Sequence, residues 1–177
     1  QNCRTISENK SKVLKMDKIK KYGEDVLRKR AKEVETIDMA TRKIVKKMKA
    51  ILNEAEGLGL AAPQIGVLQR IFIAFDKEQK RIITAINPEI TAQKGKEIDL
   101  EGCLSFPEIF FSIERAYKVV LKANNEKGER FVMEAEGLLA RCFQHEIDHL
   151  DGKLIIDYAT EQEKSVCKEK IQRLLNK

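Results

Sequence analysis

The sequence predicts an α+β fold: antiparallel β-sheets around one central helix, with a further helix in the N-terminal half and another at the C-terminus. Three observations predict it. Two stretches, 38–56 and 137–150, repeat their apolar residues at helical spacing. Between them lie short β-branched and aromatic runs bounded by turn residues. Those runs are grouped instead of alternating with helices, which favours antiparallel pairing over βαβ units.

The first helix is expected from about Asp38 to Glu56, where Ile44, Val45, Met48, Ile51, Leu52 and Ala55 mark one face. Asp38 is a natural N-cap and Gly57 a natural residue just past the end. QRIFIAF (69–75) and RIITAI (81–86) read as a hairpin closed by DKEQK. LEGCLSFPE (100–108) follows as a strand or loop, with Gly102 giving backbone freedom and Pro107 stiffening the turn. Ile109, Phe110 and Phe111 read as core. SIERAYKVVLKA (112–123) and ERFVMEA (129–135) form a second hairpin around NNEKG. GLLARCFQHEIDHL (137–150) returns to helical period and ends before Gly152. Its Leu138, Leu139, Cys142 and Phe143 predict a buried helix, with Arg141 held at the surface by its charge. Thr160 and Glu163 form a capping box ahead of a lysine-rich helix that runs to the end.

Composition narrows the function classes. A chain of 177 residues fits one domain, and 35% charged with 42% apolar residues is ordinary for a soluble globular protein. No apolar run approaches the ~20 residues that cross a bilayer, and the first fifteen residues lack the apolar core of a signal peptide. Residues 1–15 read as a leader or artificial extension, and 16–177 as a single catalytic domain. Cys3, Cys103, Cys142 and Cys167 show no paired spacing, which points to a reducing, cytoplasmic setting and excludes a CxxC zinc ribbon. Residues 1–50 hold 16 basic and 7 acidic side chains, a net +9 against +6 for the whole chain. No nucleic-acid signature accompanies that charge, so it reads as a solvated face, with neither DNA nor membrane as a partner. GLGLAA (57–62) formally satisfies a dinucleotide fingerprint, but it closes a helix and leads to a strand, the reverse of what that fingerprint requires.

The chemistry concentrates in QHEIDHLDG (144–152), which holds both histidines of the chain, His145 and His149. Four residues apart on a helix, the two imidazoles stack on one face and can converge on a metal ion. Glu146, one position beyond the first histidine, is placed to move protons to and from a metal-polarised water. Two ligands need a third. The continuation HExxHxxGxxH fails because its last site is Ile155. Glu169 has the spacing of a zincin ligand but lies in a charged, exposed-looking helix. Cys142 shares the helix with both histidines and would crowd them on one side of the ion. Cys103 remains: a thiolate from a separate segment that leaves a fourth position open for water.

GLGLAAPQ (57–64), EGCLS (101–105) and QHEIDHLDG (144–152), in this order and spacing along the chain, resemble the three signature motifs of the bacterial peptide deformylases. The resemblance runs from about Met16 to Tyr158. It implies a metal-dependent hydrolase that removes the formyl group from N-terminal formylmethionine of nascent polypeptides. It implies Cys103, His145 and His149 as metal ligands, with Fe2+ as the usual native metal and Zn2+, Ni2+ or Co2+ as substitutes. Glu146 is then the general base and acid. Gln64 and the backbone N–H of Leu104 donate to the developing oxyanion, and the backbone of Gly59 holds the peptide as an added strand. Leu58, Phe106 and Cys142 line the methionine pocket. N-formylmethionyl peptides, and with them the ribosome surface, are the implied partners of a monomer or weak oligomer.

Overall fold

The computed structural model describes residues 19–176; the extension at 1–15 lies outside them. Helix α1 spans Met39–Ala55, and its N-terminus is fixed by Asp38, whose Oδ1 accepts the Thr41 N–H at 2.9 Å. Val45, Met48, Ile51 and Leu52 form its buried stripe. The left-handed residue that ends it is Glu56, at φ 53°, and not Gly57. Gly57 instead gives space: a methyl group there stands 3.0 Å from Leu104 Cδ1 and 3.1 Å from Leu52 Cδ1.

Seven strands follow: β1 (Gly59–Ala61), β2 (Ile71–Asp76), β3 (Arg81–Lys94), β4 (Glu97–Cys103), β5 (Phe106–Arg115), β6 (Lys118–Asn124) and β7 (Arg130–Glu136). Five make one antiparallel sheet in the order β1-β2-β3-β6-β7, and β4 pairs β5 in a separate two-stranded ribbon. Helix α2 spans Gly137–Leu150, with Gly152 just past its end at φ 75°. It packs on one face of the large sheet against Phe72 and Ala74, while α1 covers Ile71 and Ile73 on the other face. That two-sided cover explains why β2 reads as an unbroken apolar run and not as an alternation.

The predicted hairpins β2–β3 and β6–β7 both form. The single strand expected at 112–123 does not. It breaks at Ala116, whose N–H and C=O are both taken by the Gln144 side-chain amide at 2.9 Å. A helix side chain thus replaces the strand ladder there, and the chain passes from ribbon to sheet. Ile109 and Phe111 are core as expected, but Phe110 alternates to the outer face and is 57% exposed. Leu138, expected to be buried, is also exposed. The terminal helix keeps its Thr160–Glu163 capping box but breaks at Cys167, into α3 (Glu161–Val166) and α4 (Lys168–Leu175). No helix among the described residues is long and apolar enough to cross a membrane.

Candidate metal centre

The site forms where α2, β1 and the ribbon meet. The 3.6-residue period puts His145 and His149 on one face of α2, with ring centroids 4.9 Å apart. The ribbon delivers Cys103 to them at an irregularity in its register, between Gly102 and Cys103. Cys103 Sγ lies 3.2 Å from His149 Nε2, and the ligand atoms of Cys103, His145 and His149 all fall within 4.8 Å of one another.

The donor set suits a divalent transition metal. Burial alone would raise the Cys103 thiol, but His149 and His145 beside it hold it well below its ordinary value, toward the thiolate a metal requires. His145 Nδ1 is engaged by Glu101 Oε1 at 2.7 Å, which leaves Nε2 for an ion. The buried His149 Nδ1 and Glu146 Oε2 have no hydrogen-bond partner.

Glu146 is buried beside this group. Burial pushes its carboxyl up to about 7, against the downward pull of His145 and His149. β1 passes directly over it. A methyl group at Gly59 would collide with Glu146 Oε1 and stand 2.7 Å from Cys142 Sγ, so only glycine lets the strand run this close. Gln64 sits on a 3-10 turn, Ala62–Ile65, that Pro63 starts and the Ala61 N–H to Gln64 Oε1 bond closes at 2.8 Å. That bond turns the amide nitrogen toward the thiol, 3.2 Å from Ser105 Oγ and 3.6 Å from Cys103 Sγ. Leu104 follows the thiol directly, its carbonyl accepting from Lys21 Nζ at 2.8 Å.

Of the three expected pocket residues, Leu58 and Cys142 line one cavity of about 490 Å³ with Met133, Leu138 and Leu139. The Cys142 thiol donates to the Leu58 carbonyl at 3.4 Å, and burial raises it well above its ordinary value, so it stays protonated. Phe106 is not among the residues lining that cavity. It is the register partner of Cys103 and stacks on Tyr22 at 4.7 Å within a separate core cluster. Glu169, the competing ligand, stands on α4 near Arg173 and outside the metal-ligating group.

Sequence reasoning missed the polar clamp behind the site. Glu101, on β4, is buried between three partners: His145, Arg115 (Nη2 at 2.7 Å, Nε at 3.1 Å) and Arg141 (Nη1 at 3.1 Å). Burial opposes its ionisation, yet His145 and Arg115 bring its carboxyl down to about 2. Arg115 also reaches Asp148 at 2.5 Å and lies over the Tyr158 ring. Arg141, expected at the surface, is only 4% exposed. The sequence does carry a hint of this clamp: Glu101 stands two residues before Cys103, so on an extended strand the two side chains share a face.

Comparison with known proteins decides the family. The family model described as polypeptide deformylase matches residues 16–165. The chain belongs to the peptide deformylase family. It is 47% identical to the peptide deformylase of Caldicellulosiruptor bescii over 140 residues, covering 79% of this chain and 83% of that one. It is 47% identical to that of Clostridium botulinum over 144 residues, 81% of this chain and 97% of the relative. Among solved structures, a peptide deformylase from Legionella pneumophila superposes with a TM-score of 0.83 at 40% identity, over 88% of this chain and 93% of that one. The Thermus thermophilus peptide deformylase gives 0.84 at 36% identity, over 90% and 97%. The expected α+β fold is that of these deformylases. The chain is accordingly a hydrolase that removes the N-formyl group from nascent polypeptides, in a metal-dependent family.

Proposed function

We propose that Cys103, His145 and His149 hold one divalent ion, ferrous iron in the native enzyme, and that Glu146 is the proton carrier for deformylation. The observation that carries this reading is the convergence of one thiol and two imidazoles beside a buried carboxyl, raised to about 7 by its burial. A divalent ion in that group supplies Lewis-acid charge that acidifies water and polarises a carbonyl. Glu146 takes a proton from the attacking water and returns it to the amine nitrogen as the formyl C–N bond breaks, releasing formate. The Gln64 amide and the Leu104 N–H donate to the oxygen that gains negative charge. The Gly59 backbone pairs with the peptide as an added strand. The methionine side chain lies against Leu58 and Cys142, in the cavity they line with Met133, Leu138 and Leu139.

The remaining assignments follow the same reading. Residues 16–177 are the catalytic domain and 1–15 an extension to it. The enzyme works in the cytoplasm, as a monomer or weak oligomer, on formylmethionyl chains emerging from the ribosome. Zinc, nickel or cobalt can take the place of iron, and zinc competes well because it stands above ferrous iron in intrinsic affinity.

Formate release from a formyl-methionyl tripeptide tests this, with protein purified without oxygen and loaded with ferrous iron or nickel. Rapid release is expected, with Glu146→Ala keeping its metal but losing turnover. Gln64→Leu is expected to lose about 10²–10³ in rate. Folded, metal-loaded protein that releases no formate, or a Glu146→Ala variant with near-normal turnover, overturns the assignment. Metal analysis of protein prepared without oxygen decides between iron and zinc.

A further inference from the structure

We infer that Arg141 is a positioning residue for the metal site, fixing the ribbon that bears Cys103 onto the helix that bears His145 and His149. The inference rests on those three residues being the ligands. The ribbon is not hydrogen-bonded to the five-stranded sheet as a strand neighbour, so side chains must set its position relative to α2. Arg141 makes that connection three times. Its Nη1 donates to the Ile113 carbonyl of β5 at 2.9 Å and to Glu101 of β4 at 3.1 Å. Its Nη2 donates to the Glu97 carbonyl, at the start of β4, at 2.9 Å.

The placement on α2 matters. Arg141 precedes His145 by four residues, so the two side chains share one face of the helix. They grip the same carboxylate from its two sides, His145 at Oε1 and Arg141 at Oε2. A shift of the ribbon along α2 therefore strains the His145 ring and the Cys103 thiol together. The planar guanidinium can satisfy three acceptors on two strands at once; a lysine ammonium on its flexible stem matches that geometry poorly. Arg115 holds Glu101 as well, but its remaining contacts run to Asp148 and Tyr158, not to the ribbon's backbone.

Cobalt binding to the metal-free full chain tests the assignment, read by the thiolate-to-cobalt absorption band and by competition with a chelator. Arg141→Met, which keeps volume without the donors, is expected to lose about 10- to 100-fold in cobalt affinity, the range for lost outer partners of metal ligands, and to shift or weaken the band. Arg141→Lys is expected to fall between the two. Val45→Ala, a core change under α1 on the other face of the sheet, is expected to lower thermal stability and leave the band unchanged. Arg141→Met with wild-type affinity and band overturns the positioning role, as does an Arg141→Lys variant indistinguishable from wild type. Should Arg141→Met not fold, Arg141→Lys carries the test alone. A wild-type protein that binds cobalt without a thiolate band removes Cys103 as a ligand, and the inference with it.

Discussion

In the five-stranded sheet, β2 buries Ile71, Phe72, Ile73 and Ala74 completely between two helices. In the ribbon, Ile98, Leu100 and Phe110 face water, and Phe106, Ile109, Phe111 and Ile113 are buried in a core cluster that contains no residue of α2; the ribbon side chains that tie it to α2 are Glu101 and Arg115. Both arrangements hold a strand to α2, but by different physics. Apolar burial is strong and non-directional, so it stabilises the sheet without setting its register to tenths of an ångström. Charge-assisted hydrogen bonds are directional, which suits a strand that must deliver one sulfur to a metal site. Arg115→Met breaks this comparison most severely. It leaves Glu101 and Asp148 short of a buried partner and is expected to cost about 3–5 kcal/mol in urea unfolding. Hydrogen exchange should then show the β4–β5 amides opening before those of β2. A loss well under 1 kcal/mol would mean that the ribbon is held by something other than the clamp.

Two smaller changes sharpen the contrast. Ile73→Val removes one buried methylene from the sheet and is expected to cost about 0.5–1.5 kcal/mol by the same measurement. Leu100→Ser removes far more apolar volume, but from the exposed face of the ribbon, and is expected to change stability by no more than about 0.5 kcal/mol. If Leu100→Ser proves the costlier of the two, the outer face of the ribbon is covered in solution and the division drawn here fails.

The same division explains what the sequence made legible. His145, Glu146 and His149 are readable because their spacing is local: a helix period alone brings them to one face. Asp38 and the Thr160–Glu163 box are local for the same reason, since each cap acts within three residues. Hairpins β2–β3 and β6–β7 join neighbours in sequence. The unread features depend on distant segments. Arg141 reads as a surface residue because an arginine is seldom buried without partners, and its partners lie 28–44 positions upstream. The break at Ala116 needs Gln144, 28 residues away. Phe110 differs from Ile109 and Phe111 only by strand alternation, which is invisible until the strand is recognised.

Arg28 and Asp157 provide a second ion pair, 2.6 Å long and chemically like the Arg115–Glu101 pair, but roughly two-fifths exposed at both side chains. Burial alone would raise the Asp157 carboxyl. Arg28 and the Leu154 N–H outweigh it and hold the carboxyl below its ordinary value of 3.8. The native carboxyl is thus the stronger acid, so the pair stabilises the fold above pH 3.8, and that stabilisation is lost as pH falls toward the lowered native value. Solvent screening limits its size, and Asp157→Asn is expected to cost less than about 1 kcal/mol at neutral pH. That deficit should shrink both on acidification and in about 1 M salt, where screening acts over roughly 3 Å. Arg115→Met should keep its deficit in salt, because water and ions do not reach Glu101. Equal salt sensitivity in the two variants would show that the clamp is solvated and that exposure does not separate the pairs.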